Sequence, residues 1–436
     1  MTRRLAIAGV AAALVAAAAL LGGAFRGGSS SAAVGAPPSV TSERLAGGFA
    51  GGDTPTLIRS LQGTLRRNPR DGKSWALLGL AYQQRARETA DPAYYPKSEG
   101  VLRRSLAIDP HDLIATSGLG SLELSRHRFA DALALGRKAI ALSPSTARNY
   151  GVIGDALVEL GRYPQAFRAF DTFARLKPGL SSYSRISYAR ELLGDQAGAV
   201  DAMRLAVDAA VDAPEASAWT RVQLGKLYWA HGRFAAAAMQ YQQALVYFPG
   251  YVYAFDALAS VEWARGHTAR AIALEQRAVD TIPLPQFVGQ LGDMLRASGK
   301  RAAARRQYAT EDGIRRLLAA NGVKTDLETA LFDVDHGFRR NASLALARKA
   351  QRERPSIDGD DVLAWALARS GRCNEALHYS RLALRLGTRD AGKYFHRGMI
   401  ERCLGSRAEA RLWFGRAVAL NSHFSVLWAP VARKLA

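Results

Sequence analysis

Cysteine is nearly absent from this chain: Cys373 and Cys403 are the only two in 436 residues. That excludes a disulfide-dense secreted scaffold and a thiolate-rich metal site. No cysteine precedes Cys373, so a lipid-modified N-terminal cysteine is excluded too. The eight histidines are scattered, with no pair four residues apart and no cluster at metal-ligand spacing. No glycine-rich phosphate cradle, serine-nucleophile elbow or placed pair of carboxylates occurs. No metal and no cofactor is therefore called for, and the chain reads as a non-enzyme. β-branched residues are sparse while Ala, Leu and Arg dominate, a composition that suits helix throughout.

Long runs of one charge are missing as well. The net charge is +21, yet no basic run exceeds two residues. Residues 301–436 hold 25 Lys and Arg against 14 Asp and Glu, so about half of the excess lies in the last third. A basic surface attracts anionic polymers, lipid headgroups or acidic proteins. Interleaved acids such as Asp358, Asp360, Asp361, Glu375 and Glu409 speak against nucleic acid, and solvated helix faces in an arginine-rich chain explain much of the balance.

What is present begins with Arg3-Arg4 and then Leu5 to Phe25, 21 residues without a charge. A span needs about 20 apolar residues, whereas a cleaved signal has a shorter apolar stretch and a small-residue cleavage site. Gly22-Gly23-Ala24 and Ser31-Ala32-Ala33 offer such sites. Length favours a retained anchor over residues 1–25. Either reading leaves the N-terminus in the cytoplasm and sends the body out, so the expected location is the cell envelope. Residues 26–52 are Gly, Ser, Ala and Pro without periodicity, a flexible linker.

The remainder is organised by a recurring unit, clearest in Asn149 to Pro178. Tyr150, Ile153, Ala156, Leu157 and Leu160 share one helix face. After Gly161 the pattern restarts with Ala166, Phe170 and Phe173, and Pro178 ends it. Prolines close units at Pro69, Pro110, Pro144, Pro178, Pro214, Pro249 and Pro283. After a longer first interval their spacing is nearly constant. Turn glycines at Gly161, Gly194, Gly232, Gly266, Gly299, Gly337, Gly371 and Gly405 keep the same phase, as do second-helix alanines from Ala132 to Ala410. This unit resembles the tetratricopeptide repeat, a helix–turn–helix module of about 34 residues. The resemblance implies an all-α, right-handed superhelical solenoid of about ten repeats. Residues 53–309 would form an N-terminal array, 310–340 an irregular break, and 341–436 the C-terminal repeats with a capping helix.

The family's architecture implies that positions 2, 5, 9 and 12 of each first helix line a concave groove. In repeats four to seven these include Tyr188, Trp219, Lys226, Trp229, Tyr253, Asp256, Trp263 and Asp293. Trp229 and Trp263 recur one repeat apart, as do Trp219 and Tyr253. That recurrence reads as an aromatic ladder for a bound segment; packing on the adjacent repeat is the competing reading. Trp75, Tyr82, Tyr150, Tyr228 and Phe255 fall at core positions. One class of these arrays grips C-terminal carboxylates with Lys, Arg and Asn. The corresponding positions here (Ala76, Leu80, Ser117, Ser121, Gly151, Asp155, Val222, Lys226) lack Asn, so that activity is not carried over. Cys373 and Cys403 would sit near the turns of adjacent repeats, within reach of a disulfide, although free buried thiols fit as well.

Three functions are compatible with these features. The first is an exported or membrane-tethered scaffold that binds an unidentified protein or peptide in its groove, with residues 5–25 in the membrane. The second is a charge-driven binder of an anionic polymer or membrane through the basic C-terminal third. The third is an accessory subunit of an exported enzyme.

Overall fold

A computed structural model describes residues 54–210 and 214–436. The anchor or signal expected at Leu5–Phe25 and the linker at 26–52 lie outside those residues. Among the described residues there is no strand, and no helix is long and apolar enough to cross a membrane.

Among the described residues a single helix, α1 (Thr54–Arg67), precedes ten helical hairpins. The first five are α2 (Gly72–Thr89) with α3 (Tyr94–Ile108), α4 (Leu113–Ser125) with α5 (Phe129–Leu142), α6 (Arg148–Glu159) with α7 (Tyr163–Leu176), α8 (Leu180–Leu192) with α9 (Gln196–Asp208), and α10 (Pro214–Ala230) with α11 (Phe234–Tyr247). The second five are α12 (Val252–Ala264) with α13 (Thr268–Thr281), α14 (Pro285–Ala297) with α15 (Arg301–Ala320), α16 (Asp326–His336) with α17 (Arg340–Glu353), α18 (Ile357–Arg369) with α19 (Cys373–Ala383), and α20 (Ala391–Cys403) with α21 (Arg407–Leu420). A short α22 (Ala429–Leu435) closes the array.

Local chemistry explains the hairpins. Asp112 and Asp195 accept backbone N–H bonds at the starts of α4 and α9, satisfying donors that a helix start leaves free. Hairpins close tightly where the first helix carries a glycine and the second a ring: a Cβ on Gly154 would lie 2.3 Å from Phe170, and one on Gly225 2.3 Å from Tyr241. Of the core aromatics, Tyr82, Tyr228 and Phe255 are buried. Trp75 and Tyr150 are half-buried instead. Each donates a hydrogen bond to the carbonyl of the proline closing the preceding unit, Pro69 or Pro144, at 3.0 Å. Cys373, opening α19, is joined to Cys403, ending α20, with their Cα atoms 6.0 Å apart.

The larger feature is a seam between successive turns of the solenoid. The inter-helix turn of each of the first five repeats meets the loop that follows the repeat five places later. Ala90 shares a core cluster with Leu284. Lys324 donates its backbone N–H to Arg126, and its carbonyl bonds the ring of His127 at 2.8 Å. Tyr163 accepts the backbone N–H of Ile357 at 2.7 Å. Thr388 donates to the carbonyl of Leu192. Asn421 donates to the carbonyl of Trp229 at 2.7 Å. Steps of one repeat below match steps of one repeat above, so the contact propagates in register and the two halves stack.

Residues 310–340 are mostly helical, in α15 and α16, rather than the irregular break that the sequence suggests. α15 has 20 residues where α13 and α17 have 14. Consecutive helices pack closely along the chain except α15 against α16, where long polar side chains fill the joint. Arg315 pairs with Glu311 at 3.1 Å and Asp333 at 3.5 Å. Arg339 pairs with Asp333 at 2.8 Å and Asp312 at 3.1 Å.

Candidate functional site

The aromatic ladder expected on an open groove is not open. Tyr188 is 6% exposed, Trp219 9% and Trp229 5%. Tyr253 is half-buried between Tyr251 and Phe287, 5.3 and 5.6 Å away by ring centroids. The cause is the seam. Position 12 ends the first helix, beside the turn on which the next superhelical turn rests. Phe234 lies between the ring of Trp229 at 4.9 Å and that of His423 at 5.4 Å, and Trp263 packs in a cluster with Val426. Tyr188 shares its cluster with Ile357. The packing reading of these rings therefore replaces the groove reading: later segments of the chain cover Tyr188, Trp263 and, through Phe234, Trp229, while neighbouring repeats cover Trp219 and Tyr253.

The charged members of the set are likewise engaged within the chain. Asp256 accepts from Gln290 at 3.0 Å, and the same amide nitrogen reaches Glu275 at 3.0 Å. Burial pushes the Glu275 carboxyl well above its ordinary range, and the neighbouring Asp256 charge adds to the effect. Burial pushes Asp256 up to about 6 against the pull of Lys226, and burial lowers Lys226. Asp293 accepts from Tyr308 and bonds His336, both at 2.7 Å, which ties α14, α15 and α16 together at the joint. Lys226 lines a small internal cavity with Tyr188, Trp219 and Glu191.

Glu191 supplies a test of this interior. Burial pushes its carboxyl up to about 8; Asp390 and Asp358 add to the rise, and Lys393 and Lys226 oppose it. A carboxyl whose folded value lies above its unfolded value near 4.5 stabilises the fold while protonated. That contribution is complete below the unfolded value and is lost as pH rises through about 8. Melting temperature should therefore fall between pH 5 and pH 9, and more steeply in the native protein than in Glu191→Gln. Parallel pH profiles for the two proteins would refute the assignment.

Two exposed features stand out among the described residues. At the end of α11, Val246, Tyr247 and Phe248 are 78%, 40% and 40% exposed. Arg221 stacks on Tyr247 at 4.5 Å, and Phe248 meets Tyr251 edge to face at 5.9 Å. The second is a cleft of about 750 Å³ at the seam, where α9 and the α10–α11 turn face α20 and α21. Arg204, Arg233, Arg389 and Arg416 line it together with His231 and Tyr394. Sequence reasoning misses both features. The edge has a local signal in the apolar run Leu245 to Phe248. The cleft joins segments from the two halves of the chain and leaves no local signal.

Comparison with known proteins agrees with the hairpin pattern. The tetratricopeptide repeat family model matches residues 94–147, 152–214 and 222–284. No curated protein sequence matches the chain. Among solved structures, a thermophilic tetratricopeptide repeat protein of Thermus thermophilus is similar at 24% identity and TM-score 0.39, covering 44% of this chain and 98% of its own. The human IFIT1 dimer with PPP-AAAA is similar at 16% identity and TM-score 0.48, covering 72% of this chain and 73% of its own. YrrB, a tetratricopeptide repeat protein with an unusual peptide-binding site, is similar at 21% identity and TM-score 0.30, covering 45% and 97%. The family model thus identifies tetratricopeptide repeats at residues 94–147, 152–214 and 222–284, and the same helical hairpin continues on either side of them.

Proposed function

We propose that this protein is a non-enzymatic scaffold, held outside the cytoplasm by its N-terminal segment, that docks a partner protein on its outer edge at Val246–Phe248. The carrying observation is the exposure of three consecutive large apolar residues at the end of α11, in a chain whose groove aromatics are covered by its own packing. Large contiguous apolar exposure on a folded surface marks interaction sites, and aromatic anchors dominate binding energies. Tetratricopeptide repeat proteins generally mediate protein–protein contacts, which fits a rigid body that presents such an edge. The uncharged stretch behind Arg3-Arg4 supports export.

One experiment tests both parts. Intact cells are treated with a crosslinker that does not cross the cytoplasmic membrane, and the captured partner is quantified for the native protein and for Val246→Ser with Phe248→Ser. Capture of a defined partner is expected, and the double variant should lose at least about 2 kcal/mol of binding, the scale of lost anchor residues, with its melting temperature unchanged. No labelling of the protein by the impermeant reagent would refute the location. Equal capture by the variant would refute the edge.

A further inference from the structure

We propose that the seam cleft is a binding site for a ligand bearing phosphate-type oxyanions. Four guanidinium groups converge there from separated segments: Arg204 on α9, Arg233 after the α10–α11 turn, Arg389 before α20, and Arg416 on α21. Two arginines that folding buries elsewhere are neutralised by carboxylates. Arg185 holds Asp155 at 2.6 Å, and Arg354 holds Glu328 at 2.8 Å while also pairing with Glu159. Among the residues that line the cleft the one carboxylate is Asp201, 3.4 Å from Arg204. Arg233, Arg389 and Arg416 pair with no carboxylate among the described residues. Gathering like charges without counter-charges is unfavourable, and a bound anion supplies the missing counter-charge.

Aromatic stacking presets the geometry. Arg233 lies over the ring of Tyr228 at 4.7 Å, while Arg204 donates to the hydroxyl of the same tyrosine at 3.1 Å. Arg416 lies over Trp413 at 4.5 Å, and Trp413 in turn packs against Tyr394 at 5.5 Å. A guanidinium stacked on its face keeps its in-plane N–H groups free, and that planar fork matches phosphate oxygens bidentately. The cleft, at about 750 Å³, has room for a ligand with two or more anionic groups, and its four arginines can pair with them.

His231 distinguishes phosphate from carboxylate. Its Nδ1 lies 3.2 Å from the carbonyl of Leu227, which assigns the N–H to Nδ1 and leaves Nε2 as an acceptor. Nε2 is buried and has no hydrogen-bond partner. Burial lowers this imidazole to about 4, and the Arg389 charge adds to the fall, so it is neutral at pH 7. A carboxylate has no proton to offer such an acceptor. A phosphate monoester, whose second pKa is about 6, offers one in its monoanionic form, and a hydroxyl carried beside the phosphate offers one at any pH near neutral.

Two sources share this chemistry, a free phosphorylated molecule and a lipid headgroup, and the test separates them. Calorimetry is run at pH 7 with pyrophosphate and with oxalate, a dicarboxylate that has no hydroxyl and is fully ionised, and flotation with vesicles of phosphatidylcholine with and without phosphatidic acid. Saturable pyrophosphate binding is expected, about tenfold or more weaker in Arg389→Ala with Arg416→Ala. Both side chains are exposed, so the double variant should keep the native melting temperature and native partner capture at Val246–Phe248. Pyrophosphate binding without flotation assigns a free ligand. Flotation that depends on phosphatidic acid and on both arginines assigns a headgroup. The proposal is overturned if oxalate binds as tightly as pyrophosphate, if the double variant binds pyrophosphate and the vesicles like the native protein, or if neither pyrophosphate nor the vesicles bind.

Discussion

Arg354→Ala should cost this protein about 3–5 kcal/mol, the loss seen when one partner is removed from a buried ion network. Arg354 is 5% exposed. It is a point at which the two turns of the solenoid meet: its Nε bonds Glu159 at the end of α6, its Nη1 bonds Glu328 on α16 at 2.8 Å, and its guanidinium lies 5.2 Å from the ring of Phe129 on α5. Burial opposes the charge, but Glu159 and Glu328 outweigh it and hold the guanidinium firmly protonated. Truncation leaves two carboxylates facing one another at the seam without a counter-ion. The loss should appear as a melting temperature lower by roughly 2–4 °C per kcal/mol, with helix content at 25 °C unchanged, because each hairpin keeps its own core. Hydrogen exchange should rise at 159–163 and 354–358 together, since these are the two sides of one contact. Replacing Glu159 and Glu328 by Gln and Arg354 by Met in one protein should recover most of the stability, as neutral isosteres often do. A single-variant loss below about 1 kcal/mol would show that the network is solvated and the seam looser than its geometry.

The contrast between hairpins and seam explains what is legible in the sequence. Gly154 with Phe170, or Gly225 with Tyr241, are contacts inside one unit, and repetition of the unit announces them. The long α15 is visible as a second helix that fails to stop before Asn321. The seam joins residues almost half the chain apart, such as Gly232 with Leu420 and Arg126 with Lys324. Those partners sit in loops, where no periodicity constrains the residue type. Trp229 and Trp263 show the consequence. Their recurrence marks them as special and reads as a row of rings facing an absent ligand, whereas Trp229 packs on Phe234, itself capped by His423 of the later turn, and Trp263 shares a cluster with Val426. The charge excess behaves similarly. Its concentration in residues 301–436 is countable, yet Arg389 and Arg416 acquire a function only beside Arg204 and Arg233, and that juxtaposition exists only once the turns stack.

The turn glycines give the sharpest test of that stacking, because the sequence treats them as equivalent and the structure does not. Gly161, Gly194, Gly266 and Gly299 all hold left-handed backbone, with φ of +68°, +76°, +81° and +79°. Alanine in that conformation costs each of them about 1–2 kcal/mol. Four equal losses would therefore be expected if each turn served only its own hairpin. The surroundings differ. A Cβ on Gly161 would lie 2.2 Å from the carbonyl oxygen of Pro355, and one on Gly194 2.5 Å from that of Gly387, whereas Gly266 and Gly299 have nothing within 4 Å. The obstructing atoms are backbone of the overlying turn, which cannot rotate aside. Gly161→Ala and Gly194→Ala should thus lose about 1–3 kcal/mol more than Gly266→Ala and Gly299→Ala, the usual cost of overpacking. Gly232, with the Leu420 oxygen 3.3 Å from its would-be Cβ, should fall between them. Gly371 and Gly405 belong to the last two repeats, with no further turn above them among the described residues. Both have open space around the added carbon, so their alanine variants should match the mild pair. Urea unfolding of these variants ranks them directly, because the left-handed penalty is common to all and cancels in the comparison. A flat ranking would mean that the two halves of the solenoid do not rest on one another in solution, and the cleft built from them would go with the seam.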